Sequence, residues 1–541
     1  MSARLVLDGL TVALPAGADR PHALKDVTLT LNDDEILCVV GESGSGKSMT
    51  ANAVMRLLPG GVSIAGGRIL FEGRDLTAFS EDEMRRVRGA GIAMIFQEPM
   101  TALNPLRTIG DQIGEMFAIH TDLDAAAING KVLALLDEVR IPSPAQAARA
   151  YPHELSGGQR QRAMIAMALA LDPRVLIADE PTTALDVTTQ AQILKLIRDL
   201  QKRKGTAVLF ITHDFGVVAE IADRVAVMQH GLVGEEDPAK EVLAAPKHAY
   251  TKQLIAAVPP LLAPPARPIA DETILTLAHV DKTYRTGGFL GRGARVTHAV
   301  KDVTLTLPKG ATLGVVGESG SGKSTLARCI IRLVDPDSGE IRLGDVDLAS
   351  LSKREMRAAT RRIQMVFQDP YGSLNPRRRV GELVAQGPMI HGVPREEAMK
   401  RARDLFALVG LDPSGIDRYP HEFSGGQRQR IGLARALALE PDVLVADEPV
   451  SALDVSVQAQ VLKLLADLRS RLGLSIVFIT HDLRVAAQVC DLVAVMKDGA
   501  VVEHGPTAQV FGAPSHPYTQ ALLASIPGRA FSEAQARAAA Q

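Results

Sequence analysis

Short runs that are apolar almost throughout recur along the chain: Glu35–Val40, Val175–Ala178 and Val208–Ile211, then Ala311–Val316, Val443–Ala446 and Ile476–Ile479. Continuous rather than alternating hydrophobicity predicts strands buried on both faces, as in a mostly parallel sheet. Ile274–Val280 alternates instead and predicts a strand that opens a new domain. Between the runs, Ala- and Leu-rich stretches at Thr108–Arg149 and Val380–Leu411 predict helices, as do Met49–Leu58 and Thr325–Val334. Strands alternating with helices give an α/β fold. The most apolar stretch, Ala163–Leu171, is bounded by Arg162 and Asp172 and falls far short of the roughly 18–20 residues that span a bilayer.

The whole pattern occurs twice. Gly41–Ser48 and Gly317–Ser324 both read Gly-Glu-Ser-Gly-Ser-Gly-Lys-Ser. Phe96-Gln97-Glu98-Pro99 returns as Phe367-Gln368-Asp369-Pro370, and Ser156-Gly157-Gly158-Gln159 as Ser424-Gly425-Gly426-Gln427. Asp179-Glu180-Pro181 and Thr212-His213-Asp214 return as Asp447-Glu448-Pro449 and Thr480-His481-Asp482. Each copy lies about 270 residues beyond its counterpart, so the chain is one duplicated domain and not a solenoid. Pro259–Pro268 holds five prolines, through which neither helix nor sheet continues. The predicted division is therefore 1–258, a proline-rich linker 259–272, and 273–541.

Composition narrows the function. A net charge of −2 gives no electrostatic footprint for nucleic acid or an anionic membrane surface, and the absence of Trp removes the best stacking platform for bases. Cys38, Cys329 and Cys490 lack any paired spacing and are too few for a four-thiolate cluster. Met1–Leu10 shows no basic region followed by an apolar core, so no signal peptide is expected.

The repeated octapeptide carries the chemistry. Gly41, Ser43, Gly44 and Gly46, with Gly317, Ser319, Gly320 and Gly322, fit a loop whose backbone N–H groups wrap a nucleotide's phosphates. Each loop lies between a predicted strand and a predicted helix, so the helix N-terminus adds positive potential. Lys47 and Lys323 would reach the β- and γ-phosphates of ATP, and Ser48 and Ser324 would ligate Mg²⁺. Asp179 and Asp447 end buried strands at the sheet's carboxyl edge, where each can also hold Mg²⁺. Glu180 and Glu448 are then the candidate water-positioning bases, and His213 and His481 candidate partners of the γ-phosphate.

Leu155–Gln159 and Phe423–Gln427 resemble the signature loop of ATP-binding cassette (ABC) proteins, and the match covers nearly every motif of both halves in order. The resemblance implies two tandem P-loop ABC ATPase domains. Each would have a mostly parallel sheet core, an antiparallel β subdomain and a helical subdomain, and the two would pack head to tail. Gln97 and Gln368 correspond to the glutamine that senses Mg²⁺ and the membrane partner; Ala184-Leu185-Asp186 and Ala452-Leu453-Asp454 correspond to the D-loop. Site one would unite Gly41–Ser48, Gln97, Asp179, Glu180 and His213 with Ser424, Gly425, Gly426 and Gln427. Site two would unite Gly317–Ser324, Gln368, Asp447, Glu448 and His481 with Ser156, Gly157, Gly158 and Gln159. Tyr284 fits the family's adenine-stacking aromatic, and Leu14 stands at the equivalent place in the first half.

Leu103-Asn104-Pro105 and Leu374-Asn375-Pro376 follow the two glutamines, and His248-Ala249-Tyr250-Thr251 and His516-Pro517-Tyr518-Thr519 end the two halves. These segments are similar to those of the bacterial peptide and nickel importers, in their fused form with both ATPases on one chain. That resemblance implies two integral-membrane permeases docking near Gln97 and Gln368, a periplasmic solute-binding protein that selects the cargo, and a place on the cytoplasmic face of the inner membrane. Peptide is the expected cargo, with opines, nickel chelates and oligosaccharides as alternatives. A soluble tandem ABC factor acting on ribosomes would share the nucleotide chemistry but usually carries a long charged linker, unlike the short proline-rich one here. A DNA-repair relative would carry zinc fingers or coiled coils.

Overall fold

The computed structural model describes residues 2–183, 185–263, 267–286, 295–451 and 453–532. The main division between its two compact units falls between Val258 and Pro259. In the first unit a six-stranded sheet runs in the order Leu232–Pro238, Arg224–Gln229, Ile36–Val40, Ala207–Thr212, Val175–Asp179, Ile92–Ile95. All neighbours are parallel except the first pair. Every residue of Ile36–Val40, Val175–Asp179 and Ala207–Thr212 is buried, which is why these strands read as unbroken apolar runs. A separate antiparallel sheet joins Ala3–Ala13, His22–Asn32, Ser63–Phe71 and Arg74–Asp75. Here burial alternates, with Leu5, Leu7, Leu10 and Val12 turned to the core. The helices Ile109–His120, Ala125–Glu138 and Pro144–Arg149 pack together through Ile113, Phe117, Val132 and Leu136.

The second unit repeats this plan. Its six-stranded sheet runs Ile363–Val366, Val443–Asp447, Ser475–Thr480, Thr312–Val316, Leu492–Lys497, Ala500–Pro506, again antiparallel only at the last pair. Its antiparallel sheet contains Thr273–Thr286, longer than the alternation Ile274–Val280 predicts because the strand continues alongside Arg295–Pro308. Val380–Ile390 and Arg395–Leu408 form the helical part around Val384, Ala402 and Phe406.

The helices after the phosphate loops are shorter than expected. They span Lys47–Val54 and Lys323–Ile330. Arg56 and Arg332 adopt left-handed conformations, φ 50° and 53°, and Leu57 N and Leu333 N donate back to Asn52 O and Arg328 O at 2.8 and 2.9 Å. That is the hydrogen-bonding pattern of a Schellman stop, usually made by glycine. Here each arginine reaches carbonyls of the following 3₁₀ turn, including Leu76 O and Leu348 O.

Candidate functional site

Each phosphate loop connects a fully buried strand to a helix, Ile36–Val40 to Lys47–Val54 and Thr312–Val316 to Lys323–Ile330. Gly46 and Gly322 cap those helices at φ 109° and 103°. A Cβ on Gly46 would stand 2.7 Å from Leu24 Cδ2, and one on Gly322 would drive into the Ala299 carbonyl oxygen. Only glycine fits both the torsion and the space. Lys47 and Lys323 are buried, at 5 % exposure each, and their ammonium groups fold onto their own loops. Lys47 Nζ donates to Gly41 O and Glu42 O at 2.7 and 2.9 Å; Lys323 Nζ donates to Gly317 O and Glu318 O at 2.8 and 2.7 Å. Burial holds Lys323 below its ordinary pKa. An arriving phosphate offers both ammonium groups a charged acceptor in place of neutral carbonyls.

Asp179 and Asp447 are the last residues of their strands, and each accepts the hydroxyl of the loop serine: Ser48 Oγ to Asp179 Oδ1 at 3.0 Å, Ser324 Oγ to Asp447 Oδ1 at 3.1 Å. Paired hard oxygen donors of this kind suit Mg²⁺. Burial pushes the Asp179 carboxyl up to about 6, opposed by the Ser48 hydroxyl and reinforced by the Glu180 charge. Asp447 is raised for the same leading reason.

Glu180 and Glu448 gather the remaining candidates. Gln97 Nε2 donates to Glu180 Oε2 at 3.2 Å, and His213 Nδ1 lies 3.2 Å from the same oxygen. Gln368 Nε2 donates to Glu448 Oε2 at 2.8 Å, and His481 Nδ1 lies 3.1 Å from Oε1. Burial would raise Glu180, yet the hydrogen bond and charge of His213 hold it at about 2. Glu448 is likewise lowered against burial by His481. In turn, burial opposes a charged His481 and the Glu448 hydrogen bond overrides it, raising the imidazole above its ordinary value. The histidines are placed by local turns: Asp214 N donates to Thr212 Oγ1 at 3.1 Å and Asp482 N to Thr480 Oγ1 at 3.0 Å.

Ser156 and Ser424 cap the helices Gly157–Leu169 and Gly425–Leu437. Each closes a capping box, with Gln159 N and Gln427 N donating to the serine hydroxyls at 3.3 Å and the glutamine side chains accepting the serine N–H. The dipole of each helix favours an anion at its N-terminus. Gly158 and Gly426 lie against Thr189 and Val457, where a Cβ would collide.

Tyr284 is half-buried on the strand Thr273–Thr286 with Lys282 Nζ 5.9 Å from its ring centre, while Leu14 packs against the core. The D-loop residues Ala184 and Ala452, like Pro264, Pro265 and Ala266 of the linker, lie outside the described residues. Two polar contacts escape the sequence motifs: Thr183 Oγ1 donates to Glu180 Oε2 at 2.8 Å, and the Arg20 guanidinium donates to Gly44 O. The Glu-x-x-Thr spacing across a turn is a signal for the first; the second bridges residues too far apart in sequence for any local pattern.

Two stretches, residues 24–183 and 300–451, match the family described as ABC transporter, and residues 235–281 and 502–539 match that described as oligopeptide/dipeptide transporter, C-terminal region. The chain belongs to the ABC transporter family: it is a tandem ATP-binding cassette protein, an ATPase. It is 47 % identical to the glutathione import ATP-binding protein GsiA of Salmonella paratyphi A, over 97 % of this chain and 89 % of that one. It is 48 % identical to the peptidoglycan transport ATP-binding protein YejF of Agrobacterium fabrum, over 95 % of each. A solved dimeric ATP-binding cassette bound to ADP and Pi aligns at 31 % identity over 43 % of this chain and 98 % of that chain, with a TM-score of 0.39.

Proposed function

We propose that this chain is the ATP-hydrolysing subunit of a bacterial importer of small peptides, working through two membrane permeases fed by a periplasmic binding protein. The observation that carries the proposal is the duplication of an ABC transporter domain, joined in each half to an oligopeptide/dipeptide transporter C-terminal region. Relatives named for glutathione import and peptidoglycan transport support a peptide-containing solute. Among the described residues no helix is long and apolar enough to cross a membrane.

In the proposed cycle, domain one (1–258) and domain two (273–541), joined by the linker 259–272, close head to tail around two ATP molecules. Gly41–Ser48 with Gln97, Asp179, Glu180 and His213 would meet Ser424–Gln427 across one ATP; Gly317–Ser324 with Gln368, Asp447, Glu448 and His481 would meet Ser156–Gln159 across the other. Mg²⁺ held by Ser48, Asp179 and Gln97, or by Ser324, Asp447 and Gln368, would neutralise charge building on the phosphates. Lys47 and Lys323 bind the β- and γ-phosphates. Glu180 and Glu448 orient the attacking water and accept its proton, while His213 and His481 fix those carboxylates and hold the γ-phosphate. The signature-helix N-termini contribute backbone N–H groups to the same phosphate. Water attacks the γ-phosphorus, the bridging oxygen leaves with ADP, and loss of the bridging phosphate lets the domains part. Permease helices would dock beside Gln97 and Gln368 at the cytoplasmic face of the inner membrane, so that hydrolysis and solute passage are coupled.

The test is gentle purification of the tagged full chain from detergent-solubilised membranes. Two polytopic membrane proteins should accompany it, and their ATPase rate should rise with peptide-loaded binding protein. Ribosomes, or no partner at all, would overturn the importer; stimulation by an opine, nickel chelate or oligosaccharide alone would overturn the cargo.

A further inference from the structure

The His-x-Tyr-Thr segments take no part in the chemistry above, yet each reaches into a phosphate loop. Tyr250 lies in the first turn of Ala249–Ala256. Its hydroxyl accepts from Glu42 N at 3.1 Å and donates to Glu42 Oε2 at 3.2 Å. In the second unit Glu318 N donates to the Tyr518 hydroxyl at 3.2 Å. Glu42 and Glu318 are the loop residues whose carbonyls receive Lys47 Nζ and Lys323 Nζ. Tyrosine therefore holds the N–H of the residue whose carbonyl parks the phosphate-binding lysine.

The tyrosines are themselves anchored. The Glu235 carboxylate accepts from Lys247 N and His248 N at 2.8 and 3.0 Å, and His248 Nδ1 accepts from Tyr250 N at 3.2 Å. The Glu503 carboxylate accepts from Ser515 N and His516 N at 2.7 and 3.2 Å, and His516 Nδ1 accepts from Tyr518 N at 3.1 Å. Tyr250 is only 6 % exposed, so its ring cannot swing out without leaving a void. Burial, together with the nearby Glu318 carboxylate, pushes the Tyr518 hydroxyl above its ordinary pKa and keeps it protonated. The same device built in both units, around differing neighbours (Lys247-His248 against Ser515-His516), marks it as more than incidental packing.

We propose that Tyr250 and Tyr518 are positioning residues for nucleotide. Their hydroxyls hold the Gly41-Glu42 and Gly317-Glu318 turns in the shape from which Lys47 and Lys323 exchange loop carbonyls for phosphate. The C-terminal segment of each half thereby sets the affinity of its own loop for ATP. The inference rests on the assignment of the two loops as ATP sites, and its test separates the two.

The test uses the full chain carrying Tyr250→Phe and Tyr518→Phe, which keep the rings and remove only the hydroxyls. Titration with methylanthraniloyl-labelled ATP and steady-state phosphate release should show Kd and KM raised about three- to tenfold, the range of one lost hydrogen bond. At saturating ATP, kcat should stay within about twofold, because no group that touches the reacting atoms has changed. A purely structural role would lower the folded fraction and hence apparent kcat, leaving Kd and KM unchanged; that result overturns the proposal, as do wild-type constants throughout. Lys47→Ala with Lys323→Ala serves as the control and should abolish binding of the probe. Undiminished binding there would overturn the site assignment and this inference with it, a signature distinct from failure of the tyrosine variants alone.

Discussion

Replacing Asp179 and Asp447 by Asn should make the nucleotide-free, metal-free protein more stable while disabling it. Asp179 is 5 % exposed, and burial lifts its carboxyl from 3.8 to about 6. That rise corresponds to roughly 3 kcal/mol against the ionised form at neutral pH, at about 1.4 kcal/mol per tenfold change in proton affinity. Asn keeps an oxygen for the Ser48 hydroxyl and removes the charge. The sign follows from proton binding. Between pH 3.8 and about 6 the folded chain holds a proton that the unfolded chain has released, so wild-type stability falls as pH rises through that window and reaches its lowest level above it. The benefit of Asn is therefore greatest near pH 7.5 and roughly halved at pH 5, where the wild-type carboxyl is protonated when folded. For a unit of this size, 3 kcal/mol is an upper limit that maps to a rise of at most about 6–12 °C in unfolding midpoint. Thermal unfolding followed by circular dichroism in chelator, at both pH values, reads it directly. A lower midpoint at pH 7.5, or a difference independent of pH, would refute the argument. With Mg²⁺ and ATP restored, the same variant should hydrolyse at least about 100-fold more slowly, since stability has been gained by removing a functional charge.

Glu180→Gln with Glu448→Gln should retain ATP binding and lower phosphate release about 10²- to 10⁴-fold, the usual worth of a positioned base; hydrolysis within threefold of wild type would remove both from the catalytic set. Gly320→Ala adds a Cβ into open space and costs only its left-handed torsion, about 1–2 kcal/mol, whereas Gly322→Ala drives into Ala299 O. Thermal unfolding should therefore rank Gly322→Ala well below Gly320→Ala, and equal midpoints would contradict the loop geometry. Tyr284→Ala, in a Lys47→Ala background that silences site one, should weaken labelled-ATP binding by the roughly 1–3 kcal/mol of one stacked base. Unchanged affinity would show that Tyr284 only packs.

The strands that build the site were legible because burial on both faces favours apolar side chains: the apolar runs Val175–Ala178 and Ile476–Ile479 are buried at every position. The phosphate loops were legible because their torsions admit so few sequences, and duplication made chance agreement untenable. Other features depended on contacts that sequence spacing does not encode. The helices following the loops stop early because Arg56 and Arg332 take a left-handed residue's place and tie their side chains to a later turn, a stop normally signalled by glycine. Tyr250 meets Glu42 across 208 residues, so its motif could be noticed but its target could not. The Glu–His pairing of each half also joins separate strand ends, and only the parallel order of the sheet brings them together.

Backbone strain at the two glutamates links the fold to the chemistry. Successive side chains of an extended strand point to opposite faces, so a carboxylate following Asp179 would ordinarily turn away from Ser48. Glu180 and Glu448 instead take φ 45° and 46°, a conformation unfavourable for any residue with a Cβ. Their N–H groups still donate to Ile211 O and Ile479 O at 3.0 and 2.9 Å, so the sheet's hydrogen bonding is kept while the side chains are redirected toward Gln97 and His213, or Gln368 and His481. The hydroxyl three residues on supports the glutamate in both halves: Thr183 donates to the Glu180 carboxylate, and Ser451 donates to the Glu448 carbonyl and helps hold that carboxyl below its ordinary pKa. The same strained torsion in both halves follows from what the proposed site needs, two adjacent carboxylates on one side of the sheet, one beside the loop serine and one held ionised beside a histidine.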